Sequence, residues 1–192
     1  MDAERTLWNA ASVGMLDAVI ALVQEGADVN SSDGSGRTPL IIAVSRKKVD
    51  VAKFLLEHGA LPDKADNFGC TALNSAVVEK HSPSIRLLLD HGANVFYEGN
   101  DGRSPWTNAC AEGHIDIVSL FSSGAEFDID KQDGEGRTGL IWSAEGGHTQ
   151  TVRFLVIKGA KVDVRDNNNR DAMYYAMNYG FDEIVGILDG DD

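Results

Sequence analysis

The sequence predicts an all-α chain built from repeated helix-turn-helix units. A short box recurs along it, and its marker residues are 33, 33, 34 and 33 positions apart: Thr38, Thr71, Ser104, Thr138 and Asp171. Each marker has a side-chain oxygen that can accept a hydrogen bond from the free amides of a helix's first turn, which predicts a helix N-cap. A Gly-Ala pair follows five apolar runs and predicts helices that end on a left-handed glycine. These pairs begin at Gly26, Gly59, Gly92, Gly124 and Gly159.

Six repeats are predicted within one domain, at approximately residues 1–30, 31–63, 64–96, 97–130, 131–163 and 164–192. In repeat 1, Arg5 lies where later repeats have the helix cap, and Trp8 is predicted to close the end of the core. The side chains expected to be buried in repeat 1 are those of Leu7, Ala10, Ala11, Val19, Leu22 and Val23. Because the first and last repeats of an array meet water on one side, both are predicted to act as caps.

The turn between the two helices of a repeat has a glycine in four cases: Gly14, Gly113, Gly147 and Gly180. Repeats 2 and 3 have Lys47 and Lys80 instead. A non-glycine residue at positive φ costs on the order of 1 kcal/mol, so these two turns should be either strained or differently shaped. In repeat 6, Asn169 replaces a glycine, and asparagine tolerates the left-handed region well.

Prolines mark helix starts, with Pro39 and Pro105 at predicted first helical positions and Ser82-Pro83 at the start of the second helix in repeat 3. Repeat 4 is the least regular. Its second helix should be one residue shorter than in the other repeats, since Leu120 is followed so soon by Gly124, and its loop over residues 126–130 should be two residues longer.

Several boxes of this chain, at a period of about 33 residues, resemble those of ankyrin repeats. They read Thr38-Pro-Leu-Ile-Ile-Ala43, Gly113-His114, Gly147-His148 and Gly26-Ala-Asp-Val-Asn30, and the resemblance covers nearly the whole chain. It implies paired antiparallel helices stacked side by side, with β-hairpin-like loops that project at right angles and form a concave face. The polar residues usual in the family after the Gly-Ala box and at the next turn are replaced by Phe96 and Gly99.

Composition limits the possible partners and compartment. The net charge of −13 argues against nucleic acid and against anionic membranes, which both attract basic surfaces. The chain starts without a secretory signal, and Cys70 and Cys110 are too few for a disulfide framework. These features predict an intracellular protein, cytoplasmic or nuclear, and we expect a monomer when it is free.

Each stretch that resembles a catalytic or cofactor-binding motif lacks residues that the motif requires. The glycine-rich stretch from Gly34 lacks the Lys-Ser/Thr ending of a phosphate-binding loop, and the calcium-like stretch from Asp128 has Asp133 where that loop needs glycine. The five histidines include no pair at the i, i+3 or i+4 spacing of a metal site on one helix; His114 and His148 are interpreted as hydrogen-bonding turn residues. We therefore expect no enzyme activity, no cofactor and no metal.

The resemblance implies that loop tips and outward positions of the first helix of each repeat contact a partner. Carried onto this chain, the partner-binding candidates are Arg37, Arg46, Phe68, Glu79, Tyr97, Asp101, Arg103, Glu112, Glu135, Arg137, Glu145, Arg170 and Tyr179. The five arginines of this set are matched by five acidic residues, which predicts a partner of mixed charge. Arg103, Arg137, Phe68 and Tyr97 are the candidate hot spots; Trp106 and Trp142 are expected in the core, and Phe96 could pack in its loop or contact a partner.

The favoured hypothesis is a non-enzymatic protein-protein interaction module, acting as adaptor, inhibitor or assembly factor, that binds a protein or peptide across repeats 2 to 5. One alternative is a regulatory subunit or domain of an enzyme complex. Another is a substrate of asparagine hydroxylation: Asn30, with Leu22 eight residues before it, resembles the site preferred in ankyrin loops.

Overall fold

The computed structural model describes residues 3–124 and 127–190, and within those ranges the chain forms twelve α-helices and no β-strand. The chain divides into two compact parts, here called the N-terminal half (Met1–Asp101) and the C-terminal half (Gly102–Asp192). The predicted all-α architecture is confirmed. None of the helices in the described ranges combines the length and hydropathy needed to cross a bilayer.

The N-terminal half consists of three helical hairpins. Its helices are α1 (Ala3–Val13), α2 (Leu16–Gln24), α3 (Pro39–Ser45), α4 (Val49–Glu57), α5 (Ala72–Val78) and α6 (Ser82–Asp90). Helix α3 packs between α1 and α5, while α4 contacts α2 and α6. The odd-numbered helices therefore form one layer and the even-numbered helices the other.

The C-terminal half repeats this arrangement. Its helices are α7 (Pro105–Ala111), α8 (Ile115–Phe121), α9 (Gly139–Glu145), α10 (Thr149–Ile157), α11 (Ala172–Tyr179) and α12 (Asp182–Asp189). Helix α9 packs between α7 and α11, and α10 contacts α8 and α12. Each helix has at most eleven residues, too few to be stable alone, so helix stability depends on burial against the neighbouring hairpins.

All five predicted N-caps are confirmed. The side-chain oxygens of Thr38, Thr71, Ser104, Thr138 and Asp171 accept hydrogen bonds from the amide three residues later, at 3.2, 3.3, 3.2, 3.3 and 2.9 Å. Two of these caps are reciprocal, because Asn74 and Thr107 return a bond to the capping residue. Pro39 and Pro105 occupy the first positions of α3 and α7, as predicted.

The left-handed glycines are confirmed at four of the five predicted helix ends, with φ of 94°, 89°, 78° and 88° at Gly26, Gly59, Gly92 and Gly159. The prediction is wrong at Gly124, which has no positive φ. Helix α8 has seven residues where α4, α6 and α10 have nine, so it is two residues shorter rather than one. The chain leaves the helix at Ser122, before it reaches the glycine. Residues 125–126 and 191–192 lie outside the described ranges; they include the alanine of the fourth predicted Gly-Ala pair, the first residue of the predicted loop of repeat 4 and the end of the predicted C-terminal cap.

The turns between paired helices at Lys47 and Lys80 were predicted to be either strained or differently shaped, and they are strained. Lys47 and Lys80 have φ of 58° and 50°, and Asn169 has φ of 61°, as predicted for asparagine at a glycine position. A β-carbon crowds the following carbonyl oxygen in this region, so the two lysines store conformational strain.

The core follows the prediction with one correction in repeat 1. Leu7, Ala11 and Val19 are buried, but Leu22 and Val23 are only half-buried, because α2 lies at the end of its layer with a neighbour on one side. The predicted cap position at Arg5 lies inside α1, which begins at Ala3. Both tryptophans expected in the core are buried: Trp106 is 0% exposed and Trp142 9%.

Candidate protein-binding surface

The loops before α3, α5, α9 and α11 are turns held by an aspartate. In the N-terminal half, Asp33 Oδ1 accepts the amides of Ser35 and Arg37 at 2.8 and 3.0 Å, and the backbone closes with a bond of 3.0 Å from Asp33 N to Arg37 O. Asp66, Asp133 and Asp166 repeat this arrangement in their own loops. The loop tips are therefore hairpin-like turns without strands, and they present side chains from fixed backbone positions.

Asparagine side chains join successive tips within each half. Asn67 Nδ2 donates to Gly34 O at 3.4 Å and Asn100 Nδ2 to Asn67 O at 3.1 Å; in the C-terminal half, Asn167 Nδ2 donates to Gly134 O at 3.1 Å. These bonds align tips one repeat apart. Side chains on neighbouring tips can therefore act on the same ligand.

The arginine before a helix cap differs in its surroundings from repeat to repeat. Arg37 pairs with Asp33 at 2.8 Å, and half of its side chain is exposed. The side chain of Arg137 is 16% exposed, and it pairs with Glu145 at 2.6 Å and Glu135 at 3.2 Å. Arg137 is therefore held within the protein surface, whereas Arg37 can reach a partner.

Trp142 contacts three charged side chains in the C-terminal half, those of Asp133, Arg103 and Arg137. Its indole Nε1 donates to Asp133 Oδ2 at 2.7 Å, which fixes the ring. The guanidinium carbons of Arg103 and Arg137 both lie 4.6 Å from its ring centroid, within the range of cation-π attraction. An aromatic ring thus carries two cations in fixed positions on the surface of α7, α9 and their loops.

A buried carboxylate supports the same cluster. Tyr175 donates its hydroxyl to Asp166 Oδ2 at 2.6 Å, and the Arg137 guanidinium lies 4.0 Å from that oxygen. Burial alone would raise the pKa of Asp166, but the Tyr175 hydroxyl, the amides of Arg170 and Asn168, and the charge of Arg137 outweigh it and lower that pKa. The carboxylate therefore stays ionised and keeps Arg137 in place.

A shallow depression of about 220 Å³ lies beside this cluster. Its lining residues are Arg103, Ala111, Glu112, Trp142, Glu145 and Gly146. Glu145 is already paired with Arg137, and Glu112 is exposed. The depression thus offers an aromatic edge with charges of both signs.

The remaining predicted site residues are distributed over the two halves. Of the candidates, Phe68, Glu79, Asp101, Arg46, Arg170 and Tyr179 are exposed, and Tyr97 is half-buried, as is Phe96. Arg37 and Arg46 line a second depression, of about 310 Å³, together with Trp8. Arg170 stacks on Tyr174, with its guanidinium carbon 5.0 Å from the ring centroid. Of the predicted set, the fold thus gathers Arg103, Glu112, Glu135, Arg137 and Glu145.

Three members of this cluster are absent from the predicted site: Trp142, Tyr175 and Asp166. The sequence spacing could have predicted these contacts, because Trp142 lies nine positions after Asp133 and Tyr175 lies nine positions after Asp166. In both cases a ring on the helix donates a hydrogen bond to the aspartate of the preceding loop.

Asn30 has a structural role in the N-terminal half. Its Nδ2 donates to Gly59 O at 2.8 Å, and its Oδ1 accepts the amide of Leu61 at 2.8 Å. Lys64 Nζ donates to its main-chain oxygen at 2.6 Å. The Asn30 amide thus joins two successive loops, and an enzyme that modifies it would first have to separate them.

The described residues hold no cluster of histidine, cysteine, aspartate and glutamate suited to a metal ion. His148 is a hydrogen-bonding turn residue, as predicted, since its Nε2 donates to Ala111 O at 2.7 Å. Cys110 is fully buried, and burial raises the pKa of its thiol, which suppresses the nucleophilic thiolate.

Comparison with known proteins agrees with this architecture. The family described as ankyrin repeats matches in three copies, at residues 7–98, 62–133 and 106–190. The NF-kappa-B inhibitor cactus of Drosophila melanogaster is 46% identical over 54 residues, which are 28% of this chain and 11% of cactus. The chain spans roughly a tenth of the length of the curated relatives it matches, between 8% and 11%.

Two solved structures are similar over nearly the whole chain. The ankyrin repeat domain of Bcl-3 has a TM-score of 0.88 at 28% identity, covering 95% of this chain and 84% of that one. A chain in the complex of the Bdellovibrio bacteriovorus predatory endopeptidase Bd0816 with immunity protein Bd3460 has a TM-score of 0.78 at 27% identity, covering 97% and 98%. Family match and fold agree, and this chain is a member of the ankyrin-repeat family, whose fold is generally a non-catalytic scaffold for protein-protein interaction.

Proposed function

We propose that this chain is a non-enzymatic recognition module that binds a protein or peptide partner through its loop tips and odd-numbered helices, the face predicted to be concave. The observation that carries the proposal is the Arg103–Trp142 stack beside a depression of about 220 Å³. Arginine and tryptophan dominate binding energies at protein interfaces. Here both are positioned before any partner arrives, which reduces the entropy lost on binding.

The partner segment at this place carries charges of both signs. Arg103 attracts a carboxylate, and the exposed Glu112 on the same rim attracts a cation. Within this proposal the chain acts as adaptor, inhibitor or assembly factor, and it is monomeric when free. A location in the cytoplasm or nucleus is supported by two free cysteines, which suit a reducing compartment.

The test is partner capture with a charge-reversed stack. Wild-type chain and Arg103→Glu are used as baits, each captured protein is identified, and its Kd is measured by calorimetry. Arg103→Glu should weaken binding at least about tenfold. Arg153→Glu is the matched control, because Arg153 lies on α10 and pairs with Glu183 at 3.5 Å, so its Kd should stay within about twofold.

The single variant at Arg103 is preferred to a double reversal with Arg137. Arg137 is held by Glu145, Glu135 and Asp166, so its reversal would destabilise the fold as well as the surface. Equal Kd values for wild type and Arg103→Glu, measured on folded proteins with matching circular dichroism, would refute the placement of the binding site.

A regulator of an enzyme is the second candidate function. It is supported by the similarity to a chain from the complex of a predatory endopeptidase with an immunity protein. If the captured partner is an enzyme, its turnover should change when the chain is added and return to the basal rate with Arg103→Glu. An unchanged turnover with a bound chain would exclude regulation and leave an adaptor role.

A further inference from the structure

Repeat 3 is apolar at three exposed positions where the other repeats are polar or small. Counted from the cap residues, Phe68 corresponds to Ser35, Asp101, Glu135 and Asn168. Cys70 corresponds to Arg37, Arg103, Arg137 and Arg170, and Val78 to Ser45, Ala111, Glu145 and Asn178. Phe68 is 69% exposed and Val78 72%, and Cys70 is exposed as well. One repeat of the N-terminal half thus presents a concentrated apolar surface to solvent.

Two of these side chains, those of Cys70 and Val78, line a depression of about 240 Å³ on α3 and α5. Its lining consists of Ser45, Cys70, Asn74, Ser75, Val78 and Glu79. This volume is below the roughly 300–1,000 Å³ of pockets for drug-sized ligands, and it suits a single side chain.

Several polar atoms of the lining already have partners within the protein. The Ser45 and Ser75 hydroxyls donate to main-chain oxygens of their own helices at 2.9 and 3.5 Å. Asn74 Oδ1 accepts from the amide and hydroxyl of Thr71 at 3.0 and 2.7 Å. The depression therefore offers a ligand mainly the aliphatic surface of Val78 and the sulfur of Cys70, because breaking these bonds would leave buried polar groups unsatisfied.

The same replacement leaves Asp66 without the cation that pairs with the equivalent aspartate of repeat 2. In repeat 2, Asp33 pairs with Arg37 at 2.8 Å, whereas in repeat 3 the residue at the arginine position is Cys70. The Asp66 carboxylate accepts the amides of Phe68 and Cys70, and in the described part of the chain it makes no ion pair. Glu79, on the other side, is neutralised by Lys47 at 3.1 Å.

The electrostatic effect of the loop carboxylates reaches the depression. Partial burial raises the pKa of the Cys70 thiol, and the negative charges of Asp66 and Asp101 raise it further. The wall beside Cys70 is therefore acidic as well as apolar, which favours a cation next to an aliphatic group.

We propose that the surface formed by Phe68, Cys70 and Val78 docks a partner segment in which an aliphatic side chain is flanked by a lysine or arginine. The aliphatic group fills the depression on α5, and the basic group takes the place of the missing arginine beside Asp66. This proposal rests on the proposed recognition function and specifies the chemistry of one part of its ligand.

Cys70 provides the readout, since Cys110 is fully buried and Cys70 is the accessible thiol of the pair. The rate of its alkylation by iodoacetamide is measured with a six-residue peptide that has a central leucine flanked by two lysines. The rate should fall about twofold at a peptide concentration equal to the Kd, because bound peptide covers the thiol. Peptides with glutamates in place of the lysines, or serine in place of the leucine, should leave the rate unchanged.

Two variants locate the peptide on the surface. Val78→Ser, which installs the residue that repeat 2 has at this position, should abolish protection of Cys70. Asn178→Ser, the same position on α11, is the matched control and should leave it intact. Cys70→Arg restores the cation of the other repeats, and fluorescence anisotropy should then detect no binding of the lysine peptide.

Protection by the acidic peptide, or no protection by any peptide, would overturn this inference. So would protection that survives Val78→Ser. These outcomes are separate from the fate of the proposed function, which depends on capture of a partner and its loss with Arg103→Glu. A chain can fail one test and pass the other.

Discussion

Arg137 shows that arginines at equivalent positions of a repeat can have different roles. Its guanidinium is stacked on Trp142 and Tyr175, at 4.6 and 5.3 Å from the ring centroids, and is neutralised by Glu145 and Glu135. Loss of one partner from such a network leaves the remaining charges desolvated and unpaired. Arg137 therefore stabilises the surface on which Arg103 is displayed.

Replacement of Arg137 by methionine tests this role. Arg137→Met should lower the free energy of unfolding by about 2–4 kcal/mol, because three carboxylates lose a largely buried cation. Arg37→Met is the matched control, and it should cost less than about 1 kcal/mol, since that side chain is half exposed and pairs only with Asp33. Urea unfolding measures the free energy of unfolding of both variants. Equal losses in that free energy would show that Arg137 is an ordinary surface residue.

At the scale of single elements, the turns between paired helices contain the clearest stored strain. Lys80 has φ of 50°, whereas the same turn in repeats 1, 4, 5 and 6 uses glycine. Helix α5 ends two residues before Lys80. Its reciprocal N-cap and the burial of Leu73 and Val77 hold the helix in place, so the turn that follows has to adopt this conformation. Packing thus holds a residue in a conformation it disfavours.

Lys80→Gly should therefore stabilise the chain. Relief of about 1–2 kcal/mol of left-handed strain is offset by about 0.4–1 kcal/mol of added entropy in the unfolded chain, for a net gain of about 0.5 kcal/mol. Lys53→Gly, in the middle of α4, should instead cost about 1 kcal/mol. Thermal unfolding measures both, and a lower Tm for Lys80→Gly would mean that the turn is unstrained.

At the scale of the whole molecule, acid stability depends on aspartates in both halves. Asp33 and Asp166 each have a pKa below the ordinary 3.8: burial alone would raise it, but hydrogen bonds and an arginine outweigh that effect. A carboxyl with a depressed folded-state pKa adds stability that is present above its unfolded value and lost as the pH falls through its folded value. The chain should therefore lose stability as the pH falls below about 3.8.

Tyr175→Phe tests how much the Asp166 carboxylate contributes to this loss of stability in acid. It removes the hydroxyl that bonds to Asp166, so the pKa of Asp166 should rise and the loss of stability with acid should become shallower below pH 3.8. Tyr174→Phe is the control, because its exposed ring keeps the stacking contact with Arg170. Urea midpoints measured from neutral to acid pH test this, and identical slopes for the two variants would contradict the role of Asp166.

Local features of the fold were predictable from the sequence. The caps at Thr38 or Ser104 depend on a side-chain oxygen and an amide three residues apart, and the left-handed turn at Asn169 depends on one residue's own sterics. The error at Gly124 has a local cause too, since a helix that ends early no longer needs its glycine. Six repeats in a single domain stay a prediction, as does the identity of the partner-binding residues.

The sequence by itself determined the repeat period and the helix N-caps, because a cap depends on contacts within a few residues, and the repeated boxes were enough to indicate the family. Only the tertiary structure decided that Arg137 is enclosed while half of the Arg37 side chain is exposed, and that Leu22 is half-buried. Burial and charge pairing depend on side chains from neighbouring repeats, such as the Tyr175 ring and the Asp166 carboxylate around Arg137. Equivalent positions in a repeated sequence thus acquire different chemistry from their neighbours.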